Sequence, residues 1–208
     1  MSTETSTSKP IPASNAVSSE MKPQRAALSA STHVDQPRRA DTNAALAALR
    51  DADADVAREA AASLGVLGSA EAVEPLIAIL NNRDGYFHGV VRIAAAESLG
   101  QLRDLRAVVP LLNAIRDPIA EVSAEAIRAL ASLPDPRGLP ALLEVVRNEH
   151  GFFLATTRRA AILGLAQIGG KQAICELRFV ATNQWEDAVV RAAAIEATHE
   201  GWTATAGA

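Results

Sequence analysis

Aromatic residues make up only 3% of this 208-residue chain, and cysteine occurs once. Each shortage excludes something. A lone cysteine rules out an internal disulfide and fits a reducing compartment, which points to the cytoplasm. With so few rings, a core has to be built from Ala, Leu, Ile and Val, a set that suits closely packed helices. No apolar run approaches the ~20 residues that span a bilayer, so no membrane segment is expected. Histidines are few and scattered, at 33, 88, 150 and 199. They form no metal-ligand cluster, and the chain holds neither a Gly-rich phosphate loop nor a nucleophile elbow. No catalytic residue, metal or cofactor is therefore expected from these motifs.

The charge excludes another class. The chain carries −4 overall, but residues 1–40 hold five Lys/Arg against three Asp/Glu, which leaves −6 for residues 41–208. A surface that grips nucleic acid is basic, so no nucleic-acid partner is expected. Residues 1–40 also contain twelve Ser/Thr and four prolines with few bulky apolar residues. They cannot bury enough surface to offset ordering entropy and read as a disordered Ser/Thr/Pro-rich tail. Their Ser-rich, acid-poor composition is shared by organelle transit peptides; a flexible tail is the plainer reading. A repeat domain over 41–202 and a flexible end at 203–208 complete the expected organisation.

What the chain has in abundance is a cassette of small residues closed by leucine. Copies run Val56–Gly65, Val91–Gly100, Val122–Ala131, Thr157–Ala166 and Val190–Thr198, and the Leu-Gly or Leu-Ala pair begins at 64, 99, 130 and 165. Steps of 35, 31 and 35 residues mark a stack of supersecondary units. Apolar residues at i, i+3, i+4 and i+7 make each cassette a helix with one buried face. A turn with a starting residue follows, Ser69, Asp104 or Asp135. A second apolar helix comes next, with Pro75, Pro110 or Pro140 slightly past the tolerated first turn; a bend or 3₁₀ start is expected there. Residues 42–50 read as a lone second helix and roughly 186–200 as a lone first helix. Cys175, beside Ile174 and Leu177, is expected at a buried helix position.

The pattern Val-Arg-x-Ala-Ala-x-x-Leu-Gly, the turn Asp135-Pro136-Arg137 and then Pro-x-Leu-Leu resembles HEAT-like repeats, and most of all the bacterial subtype found in phycobilisome lyase subunits. The resemblance covers about residues 42–200 and implies an all-α, right-handed α-solenoid of antiparallel helix pairs. Four HEAT-like repeats would be flanked by capping half-repeats. By resemblance such proteins are mostly non-catalytic binding scaffolds, and a minority attach or detach bilin chromophores. The main expectation is therefore a scaffold for a protein partner, with a hetero-oligomer possible in principle. The alternative is a subunit of a bilin lyase, with a bilin as its chromophore. HEAT-like di-iron hydroxylases hold iron with several His-Glu dipeptides; only His199-Glu200 matches here, and Glu149-His150 is reversed.

Candidate binding residues follow from what interrupts the period. Tyr86, Phe152 and Trp185 each lie six residues before an arginine: Arg92, Arg158 and Arg191. Gly85-Tyr86-Phe87 and Gly151-Phe152-Phe153 are 66 residues apart, which is two repeats. Aromatic and Arg side chains are favoured binding anchors, so these residues suggest one gripping edge; packing in a longer junction is the competing explanation. HEAT-type stacks bind along the face lined by second helices, whose polar positions are Glu74, Arg106, Asn113, Arg137, Glu144, Arg147 and Arg178. Asp187 and Arg191 are spaced to pair on one helix.

Overall fold

The structure, a computed structural model, describes residues 39–83, 85 and 87–205. The expected tail lies outside the described residues as far as position 38, and residues 39 and 40 are already helical. The described residues belong to one compact unit, Arg38–Ala208. Among them are ten α-helices and no strand: α1 (39–48), α2 (Ala54–Leu67), α3 (Val73–Asn81), α4 (Gly89–Leu102), α5 (Val108–Ala114), α6 (Ala120–Ser132), α7 (Gly138–Arg147), α8 (Ala155–Ile168), α9 (Gly170–Thr182) and α10 (Ala188–Thr205). α10 thus runs past the expected boundary at 202.

Local chemistry sets the helix starts. Asp53 caps α2 by accepting a bond from the Asp55 amide at 2.9 Å, and Asp104 does the same for Arg106 before α5. Ser69, by contrast, makes no side-chain capping bond. The prolines sit where sequence reasoning placed a 3₁₀ start. Short 3₁₀ turns at Ala70–Ala72 and Leu105–Ala107 precede α3 and α5. They shift the α-helical start so that Pro75 and Pro110 become third residues of their helices, where amides have no intrahelical acceptor anyway. Pro140 is likewise the third residue of α7.

The first helices α2, α4, α6, α8 and α10 stack each on the next. Leu64, Leu99, Leu130 and Leu165 are sealed between them, with Ala61, Ala95, Ala126 and Ala161. Close approach is the reason for glycine at 65 and 100: a Cβ on Gly65 would come within 2.9 Å of the Ser98 Cα, and one on Gly100 within 2.9 Å of the Ala129 Cα. At the same point of the cassette, α6 has Ala131, α8 has Ala166 and α10 has the exposed His199.

Second helices form a looser row, and each packs more extensively on the first helix that follows it than on the one before. The result is an all-α repeat solenoid, four helix pairs with α1 and α10 as flanking half-units. One expectation fails. Cys175 is exposed, because α9 buries Ala173, Leu177 and Val180 and position 175 falls on the other side of that stripe.

Candidate functional site

Two junctions from a second to a first helix are seven residues long, 82–88 and 148–154, while 115–119 and 183–187 have five. The long pair share one construction. Asn82 and Asn148 end α3 and α7 in the left-handed region, with φ of 41° and 47°. Each then clamps the backbone five residues on. Asn82 Oδ1 accepts from the Phe87 amide at 2.8 Å while its Nδ2 donates to the Phe87 carbonyl at 3.3 Å. Asn148 makes the same two bonds to Phe153 at 2.8 and 3.0 Å. Gly85 and Gly151 supply the positive φ (68° and 67°) that lets the loop close. Phe87 and Phe153 are thereby turned onto the core and half-buried. Phe152 remains 58% exposed, edge-on to Phe153 at 5.1 Å between ring centroids. Tyr86 lies outside the described residues.

The arginines do not join the aromatics at the surface. Arg92 and Arg158 are each only 8% exposed, and each reaches forward to a carboxylate of the next second-to-first junction. Arg92 pairs with Asp117. Arg158 holds Glu186 with two bonds of 2.6 and 2.7 Å and donates from Nε and Nη2 to the Val146 carbonyl. Burial lowers the Arg92 pKa, and the Arg158 hydrogen bonds hold the Glu186 carboxyl below its ordinary range. A buried guanidinium needs such a partner, so these two residues clasp neighbouring repeats. Arg191 donates to the Gln184 carbonyl at 3.1 Å. Asp187, expected to pair with it, caps α10 instead by accepting from the Val189 amide at 2.8 Å. Trp185 stands in the last junction, 87% exposed.

One face of α7 forms the floor of a groove of about 560 Å³. Pro140, Leu143, Glu144 and Arg147 line it at helical spacing, the loop from Asn148 to Phe153 forms one wall, and Arg116 from the junction after α5 and Gln172 from α9 complete the lining. Of the candidates, the groove brings together Glu144, Arg147, Phe152 and Phe153. Asn113 is exposed on α5, away from the lining. Arg137 sits at the start of α7, forked onto Asp135 with both bonds at 2.8 Å; that side-chain bond lowers the Asp135 pKa to about 2.

Ion pairs tie the second helices in series: Glu74 with Arg106 at 3.3 Å, Arg116 with Glu144 and Arg147 with Glu176 at 2.8 Å. The groove is therefore walled by exposed guanidiniums already held by carboxylates. Sequence reasoning passed over Arg116, Glu186 and the two clamping asparagines; the 66-residue spacing of the Gly-aromatic triplets was the signal that leads to Asn82 and Asn148. Among the described residues no group of three or more His, Cys, Asp and Glu is placed to hold a metal ion. No helix among them is long and apolar enough to cross a membrane.

A family model described as HEAT repeats matches residues 42–118, 87–156 and 108–198. The chain belongs to the HEAT-repeat family. Its fold is similar to a solved structure from Nostoc sp. PCC7120, the complex of CpcE and CpcF of phycocyanin lyase. The TM-score is 0.62 at 24% identity, over 92% of this chain and 71% of that one. A human deoxyhypusine hydroxylase in complex with glycerol also matches, with a TM-score of 0.38 at 19% identity, over 80% of this chain and 78% of the other. Among curated proteins none matches. Membership of the HEAT-repeat family accounts for the stacked cassettes.

Proposed function

We propose that this HEAT-repeat chain is a non-catalytic scaffold that binds a protein partner along its second-helix face, with the α7 groove and the aromatic edge beside it as the contact. One observation carries this reading: three exposed aromatic side chains lie between 152 and 185. They are Phe152, Phe179 at 66% exposure and Trp185. Exposed rings cost hydration free energy in a free monomer and are favoured anchors in interfaces. The test is a double substitution, Phe152→Ala with Trp185→Ala. Loss of stoichiometric partner capture at an unchanged melting temperature supports the reading. Undiminished capture by the double variant rejects it.

A second reading has its own support. Arg116 and Arg147 flank the groove beside Phe152 and Phe153, an arrangement that suits a flat ligand with two carboxylates, such as a bilin with its propionates. The Nostoc structure is of a phycocyanin lyase. In this reading the chain is a subunit of a bilin lyase and the bilin is its substrate. Coexpression with a bilin source and a phycobiliprotein subunit then yields pigmented protein; a colourless product removes the reading.

A further inference from the structure

The lining of the α7 groove is held in two different ways. Its loop wall is fixed by the Asn148 clamp on Phe153. At the root of that loop Arg158 donates to the Val146 carbonyl from Nε and Nη2 and holds Glu186 through Nη1 and Nη2, so each of its nitrogens has an acceptor. On the α5 side the lining is Arg116, and its neighbour in the chain, Asp117, is the carboxylate that Arg92 clasps. That set of bonds is incomplete. Arg92 reaches Asp117 through Nη2, while its Nε is buried without a hydrogen-bond partner. Val146 lies twelve residues before Arg158 and Leu80 twelve before Arg92, yet the Arg92 Nε makes no bond to the Leu80 carbonyl. At the same cassette position in α6, Ser123 does make the bond back, to the Ile115 carbonyl.

The two carboxylates account for the difference. In the last junction the work is divided: Glu186 holds Arg158 and Asp187 caps α10. Asp117 does both tasks alone. Its Oδ2 takes Arg92, and its Oδ1 accepts from the Ile119 amide at 2.9 Å at the start of α6. Its side chain is also one methylene shorter than that of Glu186. A carboxylate so short and so tied draws the guanidinium forward, away from the carbonyl behind it. A buried N–H without an acceptor is disfavoured, and the last carbonyls of a helix have no donor within that helix. Arg92 therefore has two acceptors and meets them one at a time.

We propose that Arg92 alternates between Asp117 ahead of it and the Leu80 carbonyl behind it, and that this exchange makes the Arg116 side of the α7 groove adjustable. In the forward state Asp117 is pinned to α4, and Arg116, one residue before it, pairs with Glu144. In the backward state the Arg92 Nε is satisfied, Asp117 keeps only the Ile119 amide, and the turn that carries Arg116 is released from α4. The loop side, held by Asn148 and by a fully bonded Arg158, has no such freedom. This rests on the α7 groove being a binding contact and adds how one of its sides adapts to what it holds.

The full chain labelled with ¹⁵N tests this without any partner. Relaxation dispersion reads exchange on the μs–ms scale at arginine Nε–H groups and at backbone amides. The Arg92 Nε–H signal should show dispersion and that of Arg158 none, the two being assigned through Arg92→Lys and Arg158→Lys. The Arg116 and Ile119 amides should exchange at the Arg92 rate, whereas Val189, whose amide is held by Asp187, stays flat. Asp117→Glu supplies the missing methylene, so Arg92 holds both acceptors as Arg158 does, and the dispersion at all three positions should be lost. A flat Arg92 Nε–H, as a single state completed by an ordered water would give, overturns the proposal. So do unrelated rates at Arg116 and Ile119, or dispersion that persists in folded Asp117→Glu. The wild-type rates decide by themselves if Asp117→Glu folds poorly. With no partner present, a negative result leaves the scaffold reading standing, and a failure of partner capture leaves the exchange at Arg92 untouched.

Discussion

The two helix rows of this solenoid are built from different materials. In the first-helix row, α2, α4, α6, α8 and α10 meet through Ala, Gly and sealed Leu, and polar groups buried there are held inside: Ser98 donates to the Ala61 carbonyl at 2.8 Å, and Arg158 is bound to Glu186 and Val146. In the second-helix row, neighbours touch less and are linked by ion pairs whose guanidiniums are exposed. Close packing leaves no room for a ligand, whereas a looser row with charged links does. Stability should therefore reside mainly in one row and recognition in the other, and substitutions can test that division.

The largest loss should come from Glu186→Ala, which leaves the Arg158 guanidinium buried without its carboxylate. Removing one partner of a buried pair costs about 3–5 kcal/mol, read from urea unfolding. The pH dependence carries a sign that checks the cause. The Glu186 pKa is lowered from its ordinary 4.5, so the pair's contribution is present above that value and is lost as pH falls through the folded-state pKa. Wild type and Glu186→Gln should differ in melting temperature at neutral pH and converge in acid. A constant difference across that range would mean that the carboxylate charge is not what stabilises the clasp.

Next in size is Leu99→Ala. Leu99 is fully buried between α2, α4 and α6, in a row too tightly interlocked to collapse around a hole, so about 2–5 kcal/mol should be lost. A loss much below that range would show that the Ala-rich row can relax, and would weaken the contrast with the second row.

The first row was legible in the sequence and the second was not, for a physical reason. Stacking demands one residue type at one position per repeat, so Leu64, Leu99, Leu130 and Leu165 announce themselves by period. Groove residues obey no such demand. Phe87 and Phe153 serve the core while Phe152 faces solvent, and nothing in the letters Phe152-Phe153 separates the two. Arg92 and Arg158 looked like surface anchors because their carboxylates, Asp117 and Glu186, lie 25 and 28 residues away, in the next repeat. Cys175 looked buried because its apolar neighbours belong to the opposite face of α9. Period reads what repeats every unit, and the 66-residue spacing of the Gly-aromatic triplets was legible too; which residues share a groove wall is visible only in the packing.

The smallest stability effect should come from Arg147→Ala, and it separates the rows most clearly. Arg147 makes two bonds to Glu176, from Nε and Nη2 to one carboxylate oxygen at 3.1 and 2.8 Å, so in number of bonds it matches the Arg158 pair, which engages both Glu186 oxygens through Nη1 and Nη2. Its surroundings do not, because the Arg147 side chain is 47% exposed. Water screens the pair from the Arg147 side, while the Glu176 side chain is 11% exposed, so the expected loss is about 1 kcal/mol, the upper end of what such pairs contribute. Arg147 also lines the α7 groove, and partner affinity should fall at least about tenfold, as for loss of a charge-assisted contact in a binding site. The two readouts together decide the matter. If unfolding of Arg147→Ala costs as much as that of Glu186→Ala, the second row is load-sharing with the first and its links are structural. If stability holds and binding drops, the row's ion pairs are exchangeable partners, kept in place by carboxylates of the protein until a carboxylate of the ligand takes one over.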